Sequence, residues 1–327
     1  MSPEPAYELT RCPVCDTLEN REITNQEEMR REVELLWAFH EKRLKPTVPV
    51  ERLADRLAFS QHPPIRLSQC ARCSHLYRNP WEREKTLRAT YETSALSEEV
   101  LLGLFETQFA SSRAQARRLT SVLGRSGRGL EVGSYVGGFL AASRDCGWRF
   151  EGVDVNEQVT DFAHRQGFAV TQGEIGGVSR NAAYDAIAIW NTFEQLYDSR
   201  ETLIAARRLL THSGILALRI PNGSFYLHWR KRLEGPASPV ALRLLSHNNF
   251  LTFPYRQGFT EGSLTHLLAS CGFSVVRVFG DTLVPVADEW TTGYGALEEV
   301  VVKRFQRLTR RGWDLPWVEV YARPQQG

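Results

Sequence analysis

The stretch LEVGSYVGGF, Leu130–Phe139, decides the fold. Gly129–Val132 is a short apolar run that breaks into a glycine-rich turn, and Gly137–Cys146 then reads as a helix. Strand, glycine turn and helix in that order open an α/β unit. Downstream the pattern repeats. Phe150–Val153 is strand-like and ends in Asp154, Glu157–Gln166 is helix-like and closes on Gly167, and Phe168–Thr171 is again strand-like. Tyr184–Trp190 (YDAIAIW) has the continuous apolar text of a buried strand. Ser199–Leu210 reads as a helix with a Ser cap, and Ile215–Ile220 as a strand stopped by Pro221. Thr260–Cys271 is a helix closed by Gly272, followed by strands Phe273–Phe279 and Trp317–Ala322. Such alternation implies an α/β fold with a doubly wound, mostly parallel sheet and helices on both faces. Residues 222–258 interrupt it as an insertion rich in aromatics, His and Arg.

In a sheet of this kind the first turn faces the ligand, and amides at the helix N-terminus point at it. Asp154 follows Gly133 at the offset expected of a carboxylate that takes ribose hydroxyls. Dinucleotides and S-adenosylmethionine share that geometry. A dinucleotide needs a second glycine where its pyrophosphate approaches the backbone, and here that position is Tyr135. S-adenosylmethionine carries no phosphate. Glu131, just before the first glycine, suits a ligand with an ammonium and a sulfonium and would oppose a pyrophosphate.

Glu131-Val-Gly-Ser-Tyr-Val-Gly137, Asp154, YDAIAIWNTFEQL (184–196) and LLTHSGILALRIPN (209–222) occur in an order that resembles class I S-adenosylmethionine-dependent methyltransferases, over about 200 residues from 126 onward. The resemblance implies a Rossmann-like seven-stranded sheet whose last strand, Trp317–Ala322, is antiparallel. It also implies a cofactor site in which Glu131, Gly133, Tyr135 and Gly137 shape the methionine end, Asp154 binds ribose, Glu174 lies near adenine and Asn191 lies beside the cofactor. Two departures stand out. Tyr135 replaces the family's second glycine, and Glu194-Gln195 stands where many relatives carry Glu-His.

Upstream, Cys12/Cys15 and Cys70/Cys73 form two Cys-x-x-Cys pairs. Two thiolate pairs on tight turns match the tetrahedral demand of a structural zinc, with no position left open for catalysis. The intervening chain is long, but loop closure costs grow only logarithmically. SQCARCSHLYRNPW (68–81) resembles the N-terminal zinc module of some bacterial class I methyltransferases. Residues 1–85 are therefore read as a zinc-ribbon-like module carrying a helical insertion at 24–60. Within that insertion, Thr24–Glu27 is a capping-box pattern opening a helix with Val33, Leu36, Trp37, His40 and Leu44 on one face, and Val50–Phe59 is a second helix ended by Pro63-Pro64. Residues 82–123 read as helical, with Ser97 a candidate cap. They supply a linker or lid at 86–125 ahead of the methyltransferase domain at 126–327.

Composition narrows the partners. Lys plus Arg number 40 and Asp plus Glu 38, a formal charge of +2. That balance disfavours a dedicated polyanion binder without excluding nucleic acid, since affinity depends on local phosphate contacts. No apolar run spans a bilayer, and MSPEPAYELT has no secretory pattern; a cytoplasmic setting is the expectation. Methyl transfer needs a positioned acceptor, and for a hydroxyl or carbon acid a base. His228 and His247 in the insertion are the candidate bases. The expected acceptor is a small molecule, such as a sugar or secondary-metabolite intermediate. An RNA acceptor and a non-catalytic zinc scaffold with a degenerate methyltransferase domain stay open as alternatives. The sequence does not indicate an oligomeric state.

Overall fold

The computed structural model of the protein describes residues 6–48, 66–86, 89, 96–248, 255–281, 290–308 and 312–325. The expected helix Val50–Phe59 and its Pro63-Pro64 stop lie outside them. In chain order the strands and helices are β1 (Tyr7–Glu8), β2 (Asn20–Thr24), α1 (Gln26–Glu41), β3 (Arg66–Cys70), β4 (Leu76–Asn79), β5 (Trp81–Glu82), α2 (Glu98–Leu123), β6 (Arg128–Val132), α3 (Gly138–Arg144), β7 (Arg149–Asp154), α4 (Glu157–Arg165), β8 (Val170–Gln172), β9 (Tyr184–Trp190), α5 (Ser199–Leu209) and β10 (Leu210–Pro221). They continue with α6 (Gly223–Arg230), α7 (Ser238–Ser246), β11 (Gln257–Gly258), α8 (Glu261–Ser270), β12 (Phe273–Asp281), α9 (Gly293–Leu308) and β13 (Trp317–Pro324).

Seven strands form one sheet in the order β12-β13-β10-β9-β6-β7-β8. The pairs β10–β9, β9–β6, β6–β7 and β7–β8 are parallel. From β6 the chain winds one way through β7 and β8, then returns to lay β9 on the other side. That reversal opens a crevice at the carboxyl ends of β6 and β9, where ligands of doubly wound sheets sit. The anticipated Rossmann-like, mostly parallel seven-stranded sheet is what the chain adopts.

Local chemistry sets the helix ends. The capping box of α1 falls on Asn25 and Glu28, one residue beyond the expected Thr24–Glu27 pair. The Glu28 N–H donates to Asn25 Oδ1 at 2.9 Å, and the Asn25 N–H to Glu28 Oε2 at 3.2 Å. Thr24 is unavailable because it ends β2, paired with Leu67. Likewise α5 is capped by Asp198, whose carboxylate takes the Glu201 N–H at 2.8 Å, while the expected cap Ser199 is its buried first residue. Ser97 does cap α2, and Gly124 ends it in the left-handed region. Within the expected helical stretch 82–123, Glu82 belongs to β5, paired with β1, residues 84–86 and 89 are helical, and residues 87–88 and 90–95 lie outside the described ones.

Two compact units divide the chain: Met1–Glu84 with Ile220–His266 and Phe279–Glu319, and Lys85–Arg219 with Leu267–Val278 and Val320–Gly327. These cut the chain differently from boundaries at 85 and 125. Residues 222–258 cluster with the N-terminal segment, because Gln257–Gly258 pairs antiparallel with Tyr77–Leu76 and completes a four-stranded sheet, β11-β4-β3-β2. Met29, Leu36, Leu67, Leu76, Tyr226, Leu245, Tyr255 and Trp317 form the core of that first unit. In the second, Leu101, Val136, Val159 and Phe162 pack together, so α2 and α4 cover the start of α3.

Candidate functional site

The crevice is built from the turn after β6. Glu131 is fully buried at the end of that strand, beside Gly152 on one side and Ala188 on the other. Neither of its carboxylate oxygens has a hydrogen-bond partner among the described residues. Burial, reinforced by the nearby Asp154 carboxylate, drives its pKa well above the ordinary value. Gly133 has φ +70° and faces Thr192 so closely that a Cβ would lie 2.4 Å from its hydroxyl oxygen. Gly137, φ +83°, turns the chain into α3. Between them Tyr135 also takes a left-handed backbone, φ 49°, which favours glycine. The residue that departs from the family pattern thus keeps the backbone that a glycine would adopt. Its N–H donates to Asp154 Oδ2 at 2.8 Å, and the Asn156 N–H donates to Asp154 Oδ1 at 3.0 Å. Burial raises the pKa of Asp154, and those amides together with that of Val155 oppose the rise. Asp154 pairs with Gln172 on β8, and Glu174 follows, exposed, just beyond that strand. Two carboxylates converge here, and among the described residues neither oxygen of Glu131 has a hydrogen-bond partner.

A second group closes the far side of the switch point. Asn191 follows β9 with φ 55°. Its N–H donates to the Arg219 carbonyl at 3.0 Å, and its side-chain oxygen accepts from the Arg219 guanidinium. Arginine offers only donors, so the Asn191 amide must present its oxygen to Arg219 and turn its NH2 away. Arg219 is fully buried on β10, as is Glu194 in the turn after β9. Burial pushes Glu194 up to about 8 against its own backbone amide, the Arg219 charge and the Gln195 amide. Sequence reading did not single out Arg219. Its signal was a lone arginine within the apolar run ILALRIP.

A family model described as a methyltransferase domain matches residues 106–278, more than half of the 327-residue chain. The chain is an S-adenosylmethionine-dependent methyltransferase. Many solved structures are similar to the methyltransferase. One from Thermotoga maritima, described as S-adenosylmethionine-dependent, is 16% identical, with 69% of this chain and 98% of that one covered and a TM-score of 0.45. The 1,6-didemethyltoxoflavin-N1-methyltransferase of Burkholderia thailandensis, with bound S-adenosylhomocysteine, is 16% identical, with 66% and 79% covered and a TM-score of 0.43. The geranyl diphosphate C-methyltransferase of Streptomyces coelicolor is 16% identical, with 64% and 77% covered and a TM-score of 0.44. No curated protein matches the chain.

In the other unit of the methyltransferase, Cys12, Cys15, Cys70 and Cys73 bring their sulfurs within 4.8 Å of one another. Cys12 lies 3.6 Å from Cys73 and Cys15 lies 3.5 Å from Cys70. These separations are far beyond a disulfide bond of about 2.05 Å. They approach the edge, about 3.8 Å, of a tetrahedron with zinc–sulfur bonds of about 2.3 Å. The Arg72 and Cys73 amides donate to Cys70 Sγ at 3.3 and 3.4 Å, as a knuckle holding a thiolate requires. The donor set and its spacing fit a four-thiolate ion.

The two histidines differ sharply. His228 is exposed on α6, and desolvation with the Arg232 and Lys231 charges lowers its pKa while Asp314 opposes. His247 is completely enclosed, edge-on to Phe39, and both ring nitrogens lack a hydrogen-bond partner among the described residues. Burial, then Arg43, His40 and Lys303, push it down to about 3. No helix of the described residues is long and apolar enough to cross a membrane.

Proposed function

We propose that the protein moves the methyl group of S-adenosylmethionine to a small-molecule acceptor of the sugar or secondary-metabolite class. The carrying observation is the buried carboxylate at Glu131, without a hydrogen-bond partner among the described residues and backed by Asp154. A sulfonium with an ammonium complements that charge, whereas a diphosphate would be repelled. In this reading Glu131, Gly133, Tyr135 and Gly137 hold the methionine end. Asp154 takes the ribose, Glu174 stands near the adenine, and Asn191 offers its NH2 to an oxygen of cofactor or acceptor. Bound there, the cofactor supplies an electrophilic methyl. The protein's own work is to orient the acceptor, exclude water and remove a proton where the acceptor carries one.

Of the two candidate bases, His228 fits better than His247. It is open to solvent, and its lowered pKa keeps the ring neutral and able to accept a proton at pH 7. As a base His247 would have to take a proton while buried and facing the Arg43, His40 and Lys303 charges. The cysteine quartet holds a structural zinc. The near-zero net charge, +2 on 327 residues, favours a small acceptor over a polyanion.

Calorimetry with S-adenosylmethionine and with NAD tests the cofactor; binding of NAD alone would overturn the reading. Incubation with methyl-labelled cofactor and a fractionated cell extract tests the acceptor. Label is expected in the small-molecule fraction, and label in RNA alone would replace that part of the reading. His228→Asn should lower turnover while leaving cofactor affinity unchanged; unchanged turnover would remove His228 as base.

A further inference from the structure

Helix α9 is built inside out. Its inward arc carries Glu298, Glu299 and Lys303, all buried. Arg43, itself buried, holds that arc. Its guanidinium reaches Glu298 and Glu299 at 3.4 Å each and donates to the Gly295 carbonyl at 3.2 Å, and Lys303 pairs with Glu299. The N-terminal end is pinned as well, because Leu44 bridges Thr291 and the Thr292 N–H donates to the Arg43 carbonyl at 2.8 Å. These contacts hold the charged arc inward.

The outward arc is apolar. Tyr294, Leu297, Val300, Val301, Phe305 and Leu308 are between 48% and 83% exposed. At 3.6 residues per turn they cover an arc of roughly 140° along the whole helix. The positions 294, 297, 301, 304 and 308 follow the 3-4 spacing of a helix–helix seam, apolar at all but Arg304. Arg304 is the one charged residue in that arc, and its aliphatic stem can lie along an apolar partner with the guanidinium at the rim. Arg243 on α7 reaches both Glu298, at 3.0 Å, and the Tyr294 hydroxyl, at 3.4 Å, so the stripe begins on a fixed aromatic. Val240, one turn earlier on α7, is also exposed.

We propose that this stripe is the seam of a homodimer, in which α9 packs against α9 of a second copy about a two-fold axis. Six side chains at these exposures offer on the order of 600 Å² per copy. A pair would then bury about 1,200 Å², which is what a specific interface of the smaller kind requires. As a monomer the protein would show an apolar patch at the upper end of what soluble chains leave bare. A two-fold pairing needs no second surface, because each stripe is its own complement. The stripe carries no carboxylate, and each copy would keep its Arg304 charge hydrated at the edge of the seam.

Sedimentation or light scattering of the full chain over a wide concentration range tests this. A mass twice the 37.2 kDa of one chain is expected. Leu297→Glu combined with Phe305→Glu should return the mass to one chain with an unchanged melting curve and circular dichroism, since both side chains are exposed. Ile204→Glu, at an exposed apolar position on α5, should leave the dimer intact. A wild-type mass of one chain at every concentration would overturn the proposal. So would a dimer that survives the double substitution while the variant stays folded. If the double variant unfolds, Val301→Arg alone serves, and a persistent dimer in that variant would overturn it too. Monomers that collect on anionic vesicles through the same stripe would assign it to a lipid surface and equally overturn it.

Discussion

Glu131 and Glu194 are two fully buried carboxyl groups with opposite prospects. Glu131 has Asp154 beside it, and its oxygens have no hydrogen-bond partner among the described residues. A bound cation would favour its ionised form, so the proposed cofactor would expel a proton there on binding. Cofactor affinity should therefore fall as pH drops below the raised pKa of the free protein, and calorimetry in buffers of different ionisation enthalpy should register the released proton. Glu131→Gln should raise the cofactor dissociation constant about tenfold, roughly 1.4 kcal/mol. Asp154→Ala should weaken the same binding by about 1–3 kcal/mol through lost charged hydrogen bonds; calorimetry reads both. Glu194 answers to pH through stability. Its folded pKa, raised to about 8 from 4.5, means that the folded state holds a proton the unfolded chain has lost between those values. Stability falls across that window as pH rises, by roughly 1.4 kcal/mol per unit at most. Denaturant melts of Glu194→Gln should show that slope flattened, with the gain largest near pH 8.

Among the elements, the turn after β6 is the least forgiving. Gly133→Ala would place a Cβ against Thr192 on a left-handed backbone, costing at least about 1 kcal/mol. Thermal melts should show the loss, and cofactor affinity should fall with it. The elements of the seven-stranded sheet were largely legible, since a buried parallel strand such as Tyr184–Trp190 is a run of apolar residues bounded by turn signals. The caps of α1 and α5 were legible only to within a residue, because a neighbouring strand or a competing side chain chose among adjacent candidates. Strands β1, β5 and β11, each two residues long, leave no period to read. Their existence depends on partners far along the chain. Of the site, the glycines and Asp154 followed from spacing. Arg219 and the buried state of Glu194 depend on which face of β10 and which side of the β9 turn look inward, and apolar text on both faces hides that.

For the molecule as a whole, the cysteine cluster is the most exposed hypothesis. Elemental analysis should find one zinc per chain. Removal by chelator should cost the first unit its fold before the second, because β3 ends at Cys70 and the four sulfurs tie Cys12 and Cys15 to it. A melt that splits into two transitions only after chelation would report this, and an unchanged melt would count against a structural ion. The two-unit organisation was not legible, since nothing local in 222–258 marks it as the partner of a segment at 66–79.

The pairing of β11 with β4 carries a consequence for how the chain is made. His75 meets Gln257 across 182 positions, and Leu76 and Tyr77 gain their edge strand only from Gln257–Gly258. On the ribosome, the N-terminal cysteines emerge long before that edge exists, whereas Lys85–Arg219 is synthesised in one uninterrupted stretch. The nascent knuckles are made before the longest segment of the other unit, and their edge strand after it. A nascent chain arrested before Gln257 should therefore leave β3 and β4 open to protease, and one arrested after Gly258 has cleared the exit tunnel should protect them.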